Sequence, residues 1–334
     1  MRILFIGGTG NISAECAALL HQRGHEILVL SRGRSAVPPA YQTLIADRHD
    51  AAEVRRVLAG RKPEVVINFL GYEVVDVQLD FEVFNGQVEQ YLFISSATVY
   101  AKPPARLPIT ETAPLGNAFW EYARKKLACE QWLLERRRQT GFPATIVRPS
   151  HTYSKRWVPN PVASSSYSFA VRLEQGKPVF VPDDGENPWT LTAASDFAVG
   201  LAGLIGNKKA IGEALHITSD EVLTWNEIVA EISRAVREPA APASVIHKIP
   251  TDFICELAPH MSGGLKGDKT HPGAFDNSKI KQLVPGFECR KPFRVGVRES
   301  IAWLRAHPGE QNLNPQVDET CERVIGAWLQ RATK

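Results

Sequence analysis

The fold is decided near the N-terminus, by Ile3-Leu4-Phe5-Ile6-Gly7-Gly8-Thr9-Gly10-Asn11-Ile12-Ser13. A run of apolar residues without alternation reads as a strand buried on both faces. The glycines then make a turn, and Ile12 to Arg23 reads as a helix with Gly24 suited to its C-terminal cap. Glycines between a strand and a helix let the backbone approach a pyrophosphate, and the helix N-terminus offers unpaired N–H groups to it. A tight turn with no ligand has the same local signature. Its position at the first crossover of a sheet gives the dinucleotide reading more weight. Gly7, Thr9, Gly10, Asn11 and Ile12 are then the cofactor-binding residues, and Ser13 stands where a third glycine is usual.

Working outward, Glu26 to Leu30 is a second strand, Leu44-Ile45-Ala46 a short third and Val65 to Leu70 a fourth, with a helix over Ala51 to Leu58. Tyr91 to Ser95 and Ala144 to Val147 add two strands, separated by a long helix from Ala118 to Gln139. Strands alternating with helices imply right-handed crossovers in a parallel sheet. The expected fold class is α/β, a Rossmann-type doubly wound parallel sheet with a smaller C-terminal substrate-binding lobe. Residues 1–150 form the dinucleotide-binding part, a segment around 190–220 returns to it, and 151–330 supply mainly the second lobe. After Arg148-Pro149 the pattern loosens, with helices expected at Ser166 to Glu174, Ser195 to Leu204, Trp225 to Val236, Phe293 to Arg305 and Asp318 to Gln330.

Composition sets bounds on partners. A chain of 334 residues with 44% hydrophobic and 22% charged content is that of an ordinary globular protein with a substantial core. Its net charge of +3 gives no support to a nucleic-acid or membrane partner. The basic run Glu135-Arg136-Arg137-Arg138 reads as the solvated end of a helix, where cations complement the carbonyl dipole. Cys16, Cys129, Cys255, Cys289 and Cys321 are odd in number and scattered, the usage expected of reduced thiols in the cytoplasm. The opening apolar run is too short for a signal peptide or a membrane span. The histidines are dispersed, and no pair has metal-ligand spacing with a supporting carboxylate, so no metal is expected.

The loop after the second strand, Ser31-Arg32-Gly33-Arg34, lacks the acid that would bind both ribose hydroxyls of NAD. It offers two guanidinium forks that match a 2′-phosphate, so NADP is favoured over NAD. Asp47 either accepts from the adenine amino group or belongs to the cap region of the next helix.

Tyr122 and Lys126 stand four apart on the long helix and so share a face. An ammonium there can hold the phenol's ionised form near neutral pH, which makes Tyr122 an acid/base. Gly7-Gly8-Thr9-Gly10, Asp47, Ser95-Ser96-Ala97-Thr98-Val99-Tyr100, Tyr122 with Lys126, and Arg148-Pro149, in that order, resemble the extended short-chain dehydrogenase/reductases of the NAD-dependent epimerase/dehydratase family. Ala214-Leu215-His216-Ile217-Thr218, Leu223-Thr224-Trp225, Asp276-Asn277-Ser278-Lys279 and Trp303 look like that family's C-terminal landmarks. The resemblance implies Tyr122 as acid/base at the reacting hydroxyl. It also implies Lys126 lowering its pKa while binding the nicotinamide ribose, and Ser96 holding the substrate oxygen.

Departures from the family pattern bear on the reaction and on the substrate. Dehydratases of this family place Asp-Glu after the Ser/Thr, and here Ala97-Thr98 stands there, which disfavours sugar 4,6-dehydration. Gly71 to Gln90 reads as a short segment without the usual long helix and its asparagine, a shortening that also resembles chloroplast stem-loop-binding relatives. Nucleotide-sugar epimerases hold the diphosphate with an asparagine and arginines. The corresponding places here read His151, Trp189 and Lys266. Trp157 and Trp189 are expected to stack on a sugar face or to belong to the core. His151 lies at the sheet's carboxyl end, as a substrate contact or a hydrogen-bonded structural residue.

The expectation is a cytoplasmic NAD(P)-dependent oxidoreductase or epimerase acting by hydride transfer at a secondary alcohol of a sugar or sugar-like substrate. A nucleotide-sugar 4-epimerase is one alternative, and a nucleic-acid-binding or regulatory protein that keeps a dinucleotide pocket is another. The long helix resembles the one through which relatives form homodimers.

Overall fold

The structure, a computed structural model, describes residues 1–164, 166–237 and 244–332. Its first part runs β1 (Arg2–Ile6), α1 (Ser13–Gln22), β2 (Glu26–Ser31), β3 (Gln42–Ile45), α2 (Ala51–Leu58), β4 (Val65–Asn68), α3 (Val74–Phe84), β5 (Gln90–Ile94), α4 (Glu121–Thr140) and β6 (Ala144–Pro149). Then follow β7 (His151–Tyr153), α5 (Ser168–Glu174), β8 (Val179–Pro182), β9 (Leu191–Ala193), α6 (Ala194–Leu204), β10 (Ala214–Ile217), α7 (Trp225–Val236), β11 (Ile246–Ile249) and α8 (Thr251–Leu257). A single helical turn, α9 (Ser262–Gly264), leads into a π-helical turn at Leu265–Lys269, before α10 (Ser278–Leu283), α11 (Phe293–Ala306) and α12 (Pro315–Ala332).

Seven strands form the parallel central sheet in the order β10-β6-β5-β4-β1-β2-β3. The apolar runs have no alternation because both faces are covered. Along β1, Ile3 and Phe5 enter one core with Cys16, Ala17 and Leu20 of α1 and Phe197 and Leu201 of α6. Leu4 and Ile6 enter the other, with Val54 of α2, Val77 and Phe84 of α3, and Cys129 and Leu133 of α4. Each fully buried Leu, Ile or Phe contributes about 1.5–3 kcal/mol. A third core gathers Tyr153, Phe169, Phe180, Trp189, Trp225 and Phe293 from elements that follow β6. It contains two small parallel pairs, β7 with β9 and β8 with β11.

One expectation fails here. Gly71 to Gln90 carries an eleven-residue helix, α3. Its start is a capping box between Glu73 and Asp76, and its inward positions include Asp76 and Asp80 beside Val77 and Phe84. Buried carboxylates at core-facing positions break the apolar period that would have revealed it. Asp80 is satisfied by Tyr91 Oη at 2.6 Å and Arg48 Nη2 at 3.3 Å, with Asn68 Nδ2 as a further donor at 2.5 Å.

Register brings the loops together. Ile6 pairs with both Leu30 and Asn68, so β1, β2 and β4 end level at the carboxyl edge of the sheet. Strand order reverses between β1 and β4, which opens a crevice at this edge. Gly7 has φ +83°, and a Cβ there would lie 2.5 Å from Leu70 Cγ, so a side chain at this turn would collide with the loop after β4. The start of α4 is fixed by Asn117, whose Nδ2 donates to Thr98 O at 2.8 Å and Gly267 O at 2.6 Å. Its Oδ1 accepts from Phe119 N and Trp120 N at 3.1 and 3.2 Å. The helix therefore begins at Glu121, with Ala118 to Trp120 in the turn that aims Tyr122.

Candidate active site

A cavity of about 830 Å3 follows the carboxyl edge of the sheet. At one end it is lined by Gly7, Thr9, Gly10, Asn11 and Ile12, with Ser31, Arg32, Arg34 and Asp47 beside them. Toward the other end stand Ser96, Tyr122 and Lys126, then His151, Trp157 and Trp189. Every candidate residue except Lys266 thus borders one space.

The first end fits a dinucleotide. No side chain caps α1, so its first N–H groups remain available to phosphate. The Asn11 side chain is used structurally: Nδ2 donates to Thr152 O at 2.9 Å, which ties the glycine turn to β7. Asp47 does not cap α2; Asp50 does, accepting from Glu53 N. The Asp47 carboxylate instead accepts from His49 N at 3.0 Å and is held below the usual range by that bond, with His49 and Arg32 adding to the effect. Arg48, which the sequence reading passed over, lines the cavity with Nε and Nη1 buried and without a hydrogen-bond partner. Unpaired donors of this kind are costly unless a ligand meets them.

At the second end, three elements converge. Ser96 follows β5, Tyr122 and Lys126 come from α4, and His151 begins β7. Lys126 is 2% exposed, and its Nζ donates to Gly71 O at 2.7 Å and Ile94 O at 2.8 Å. An ammonium has three donors, so one remains for the cavity. Burial pushes this amine down to about 8. The phenol of Tyr122 moves against expectation. Burial and then Tyr72 push it up to about 12, with a hydrogen bond to Ser96 opposing them. Lys126 Nζ sits over the ring, 5.9 Å from its centroid. Ser96 Oγ accepts from Thr98 N at 3.2 Å and Thr98 Oγ1 at 2.9 Å, which leaves its own hydrogen free to donate.

The substrate end departs from expectation at two residues. Lys266 points away and pairs with Asp252 at 2.5 Å. The π-helical turn carries Asp268 and Lys269 to the cavity in its place. Burial raises the Asp268 carboxyl and lowers the Lys269 amine. Trp189 is 3% exposed, packed on Trp225 at 5.2 Å, and a Cβ on Gly273 would meet its ring at 2.9 Å. Its faces belong to the core; what it presents is an indole N–H with no partner. His151 Nε2 and Thr190 Oγ1 are likewise buried and unpartnered. Burial, then the charge of Lys269, lowers His151 to about 3, so the imidazole is neutral. Trp157 donates its N–H to Ser164 O. Trp120 and Tyr72 flank the Tyr122 ring at 5.0 and 6.4 Å. None of Trp120, Asp268 or Lys269 carried a recognisable motif.

The sequence pattern of the NAD dependent epimerase/dehydratase family matches residues 3–83 and 81–217. The chain belongs to that family. It is 26% identical over 332 residues to a 2′-dehydrokanamycin reductase of Streptomyces kanamyceticus, across 97% of this chain and 91% of the relative. It is 30% identical over 335 residues to a dTDP-4-dehydrorhamnose reductase of Streptomyces griseus, across 94% and 98%. In fold it is similar to a UDP-glucose 4-epimerase of Thermus thermophilus solved with NAD, with a TM-score of 0.71, 22% identity, and 92% and 100% of the chains covered. The family is one of reductases, epimerases and dehydratases with sugar-related substrates, built on an NAD-binding Rossmann fold. Among the described residues no helix is long and apolar enough to cross a membrane, and no cluster of three metal-ligating side chains occurs.

Proposed function

We propose that this chain is a nicotinamide-dependent oxidoreductase acting at one secondary carbon of a sugar or sugar-like ring, with reduction of a ketone as its main direction and NADP as its preferred cofactor. The observation that carries this reading is the convergence of Ser96, Tyr122 and Lys126 on the cavity that begins at the glycine turn. A nicotinamide, when bound, supplies the hydride. Tyr122, neutral because burial raises its phenol, gives its proton to the ketone oxygen as that oxygen gains charge. Ser96 donates a hydrogen bond to the same oxygen. Lys126 offers its third N–H to the ribose and keeps positive charge beneath the phenol, where it favours the phenolate left after proton transfer.

Reduction is favoured because the raised phenol stays protonated at neutral pH and so carries the proton a ketone oxygen takes up, and because the two relatives named above are a 2′-dehydrokanamycin reductase and a dTDP-4-dehydrorhamnose reductase. Ala97-Thr98, which follow Ser96, supply no carboxylate pair for a 4,6-dehydration. Arg32 and Arg34, both exposed at the cofactor end, suit a 2′-phosphate. The unpartnered His151 Nε2, Trp189 Nε1 and Thr190 Oγ1 suit the hydroxyls of a sugar-like ring.

The test is to follow the absorbance of reduced cofactor with purified protein, NADPH or NADH, and a panel of keto sugars. Stoichiometric consumption abolished by Tyr122→Phe is the expected result. Stereochemical inversion of a nucleotide sugar with no net consumption would replace this reading with a 4-epimerase.

A further inference from the structure

Beside the main cavity lies a second one of about 260 Å3. Trp120, Ser164 and Lys269 line both. Trp120 also packs on Tyr122 at 5.0 Å, so the second space begins one side chain away from the reacting phenol. Lys269 Nζ meets Ser164 Oγ at 3.0 Å at this junction. The space is just under the roughly 300–1,000 Å3 that holds a whole drug-sized ligand, which suits one ring of a larger molecule.

Its lining mixes apolar side chains, among them Val162, Met261, Leu265 and Val317, with a smaller polar group and little charge. Asn314, Gln316 and Thr320, from α12 and the residue before it, face it, and among the described residues no Asp or Glu lines it. Thr320 is 1% exposed, and its Oγ1 is buried without a partner. A buried hydroxyl left unpaired is unfavourable unless a ligand completes it. A diphosphate would call for guanidinium forks or several cations. Among the described residues Lys269 and His260 are the basic side chains that line it, and the Lys269 amine is already engaged by Ser164.

We propose that this side chamber is a subsite for a second, hydroxyl-bearing ring, so that the substrate is a molecule of at least two linked rings and the far ring is held by Asn314, Gln316 and Thr320. The inference rests on the proposed function and specifies its substrate class. Gly264 gives a clean way to close the chamber. Its φ and ψ are −71° and −31°, open to any residue, and a Cβ there meets nothing nearer than Lys269 Nζ and Trp120 Cζ2 at 4.0 Å. Gly264→Leu therefore fills the space without straining the backbone, while Thr320→Val removes one polar group and keeps the shape.

The experiment pairs one-ring and two-ring probes: glucose with maltose, glucosamine with chitobiose, and 2-deoxystreptamine with neamine. Each is titrated into the wild type and both variants loaded with oxidised NADP, with affinity read from tryptophan fluorescence and hydride transfer read in the oxidising direction, from ring alcohol to cofactor, as the appearance of reduced-cofactor absorbance. At least one two-ring probe is expected to bind ten-fold or more tightly than its one-ring partner. Gly264→Leu should erase that advantage, Thr320→Val should reduce it at least three-fold, and one-ring affinity should be unchanged in both. Hydride transfer indifferent to ring number, or a two-ring advantage that survives Gly264→Leu, overturns the subsite and leaves the proposed function standing. Absence of hydride transfer with every probe, accompanied by turnover of a nucleotide sugar alone or of nothing, overturns the substrate class and the subsite together.

Discussion

Arg148 of β6 and Glu130 of α4 form a bidentate ion pair, Nε to Oε1 at 3.0 Å and Nη2 to Oε2 at 2.6 Å, with both side chains almost wholly buried. The pair joins the sheet to the helix one turn beyond Lys126. Arg148 Nη1 also donates to Tyr100 Oη at 2.8 Å, and Tyr100 in turn bonds His216 Nε2. His216 Nδ1 closes the chain on Asp276 O at 3.2 Å, and burial lowers this imidazole to about 3. The network sets how α4 lies on the sheet and hence where Tyr122 and Lys126 stand.

Removing one partner of that pair should be far worse than removing both. Arg148→Met leaves a buried carboxylate without its cation and should cost about 3–5 kcal/mol in urea unfolding. Glu130→Leu with Arg148→Met should recover much of the loss, because two apolar side chains of similar size need no partner. If the double variant were no more stable than the worse single one, the pair would not be acting as a unit.

For Tyr122→Phe and Ser96→Ala, turnover should fall while cofactor affinity stays near the wild-type value. Loss of the proton donor is expected to cost about 10²–10⁴-fold in kcat. Ser96→Ala should lose less, because Tyr122 remains, though Thr98 then loses its acceptor. Full turnover by Tyr122→Phe with an identified substrate would remove this residue from the mechanism.

Lys126 should give the reaction an alkaline limb. Burial holds its amine near 8, below the usual 10.5 of a lysine, so it is charged at neutral pH and loses its proton as pH rises through about 8. Reduction should be insensitive to pH below about 7 and decline above 8. Whatever activity Lys126→Arg retains should lack that limb, since a guanidinium stays protonated. Linkage runs the other way for this group: between about 8 and 10.5 the unfolded chain binds the proton that the folded chain has released, so its contribution to stability rises with pH. A rate that held level through pH 9 would detach Lys126 from the rate-determining charge.

How much of this was legible depended on whether a signal was local. The strand and turn from Ile3 to Gly10 declare themselves, and the Ala51–Leu58 and Trp225–Val236 helices have the bounds their apolar periods predict. Asp76 and Asp80 hid α3, since only folding reveals that the Asp80 carboxylate is satisfied by Arg48, Asn68 and Tyr91 and the Asp76 carboxylate by His49 and the N–H groups of Tyr72 and Glu73. The strands of the second lobe are three or four residues long, too short for a period to emerge. Lys266 was misplaced because the π-helical turn alters the register and sends Asp268 and Lys269 inward. The raised phenol of Tyr122 follows from burial beside Tyr72 and Trp120, which helix spacing alone does not encode.

Cofactor choice should turn on Arg32 and Arg34. Both are exposed at the end of the cavity next to Asp47, and no acid occupies the loop Ser31-Arg32-Gly33-Arg34. A guanidinium bonded to a 2′-phosphate contributes about 1.5–3 kcal/mol, the range for a hydrogen bond to a charged group. Arg32→Ala should therefore raise the KM for NADPH by roughly 10–100-fold and leave that for NADH within about two-fold, with Arg34→Ala weaker in the same direction. Replacing Ser31 with Asp in the Arg32→Ala background should then favour NADH, because a carboxylate accepts from the ribose hydroxyls and repels a phosphate. The wild-type preference should also shrink as salt is raised, since exposed charges are screened over about 10 Å at 0.1 M ionic strength. An equal loss for NADPH and NADH in Arg32→Ala would mean that the arginine supports the loop rather than reading the ribose.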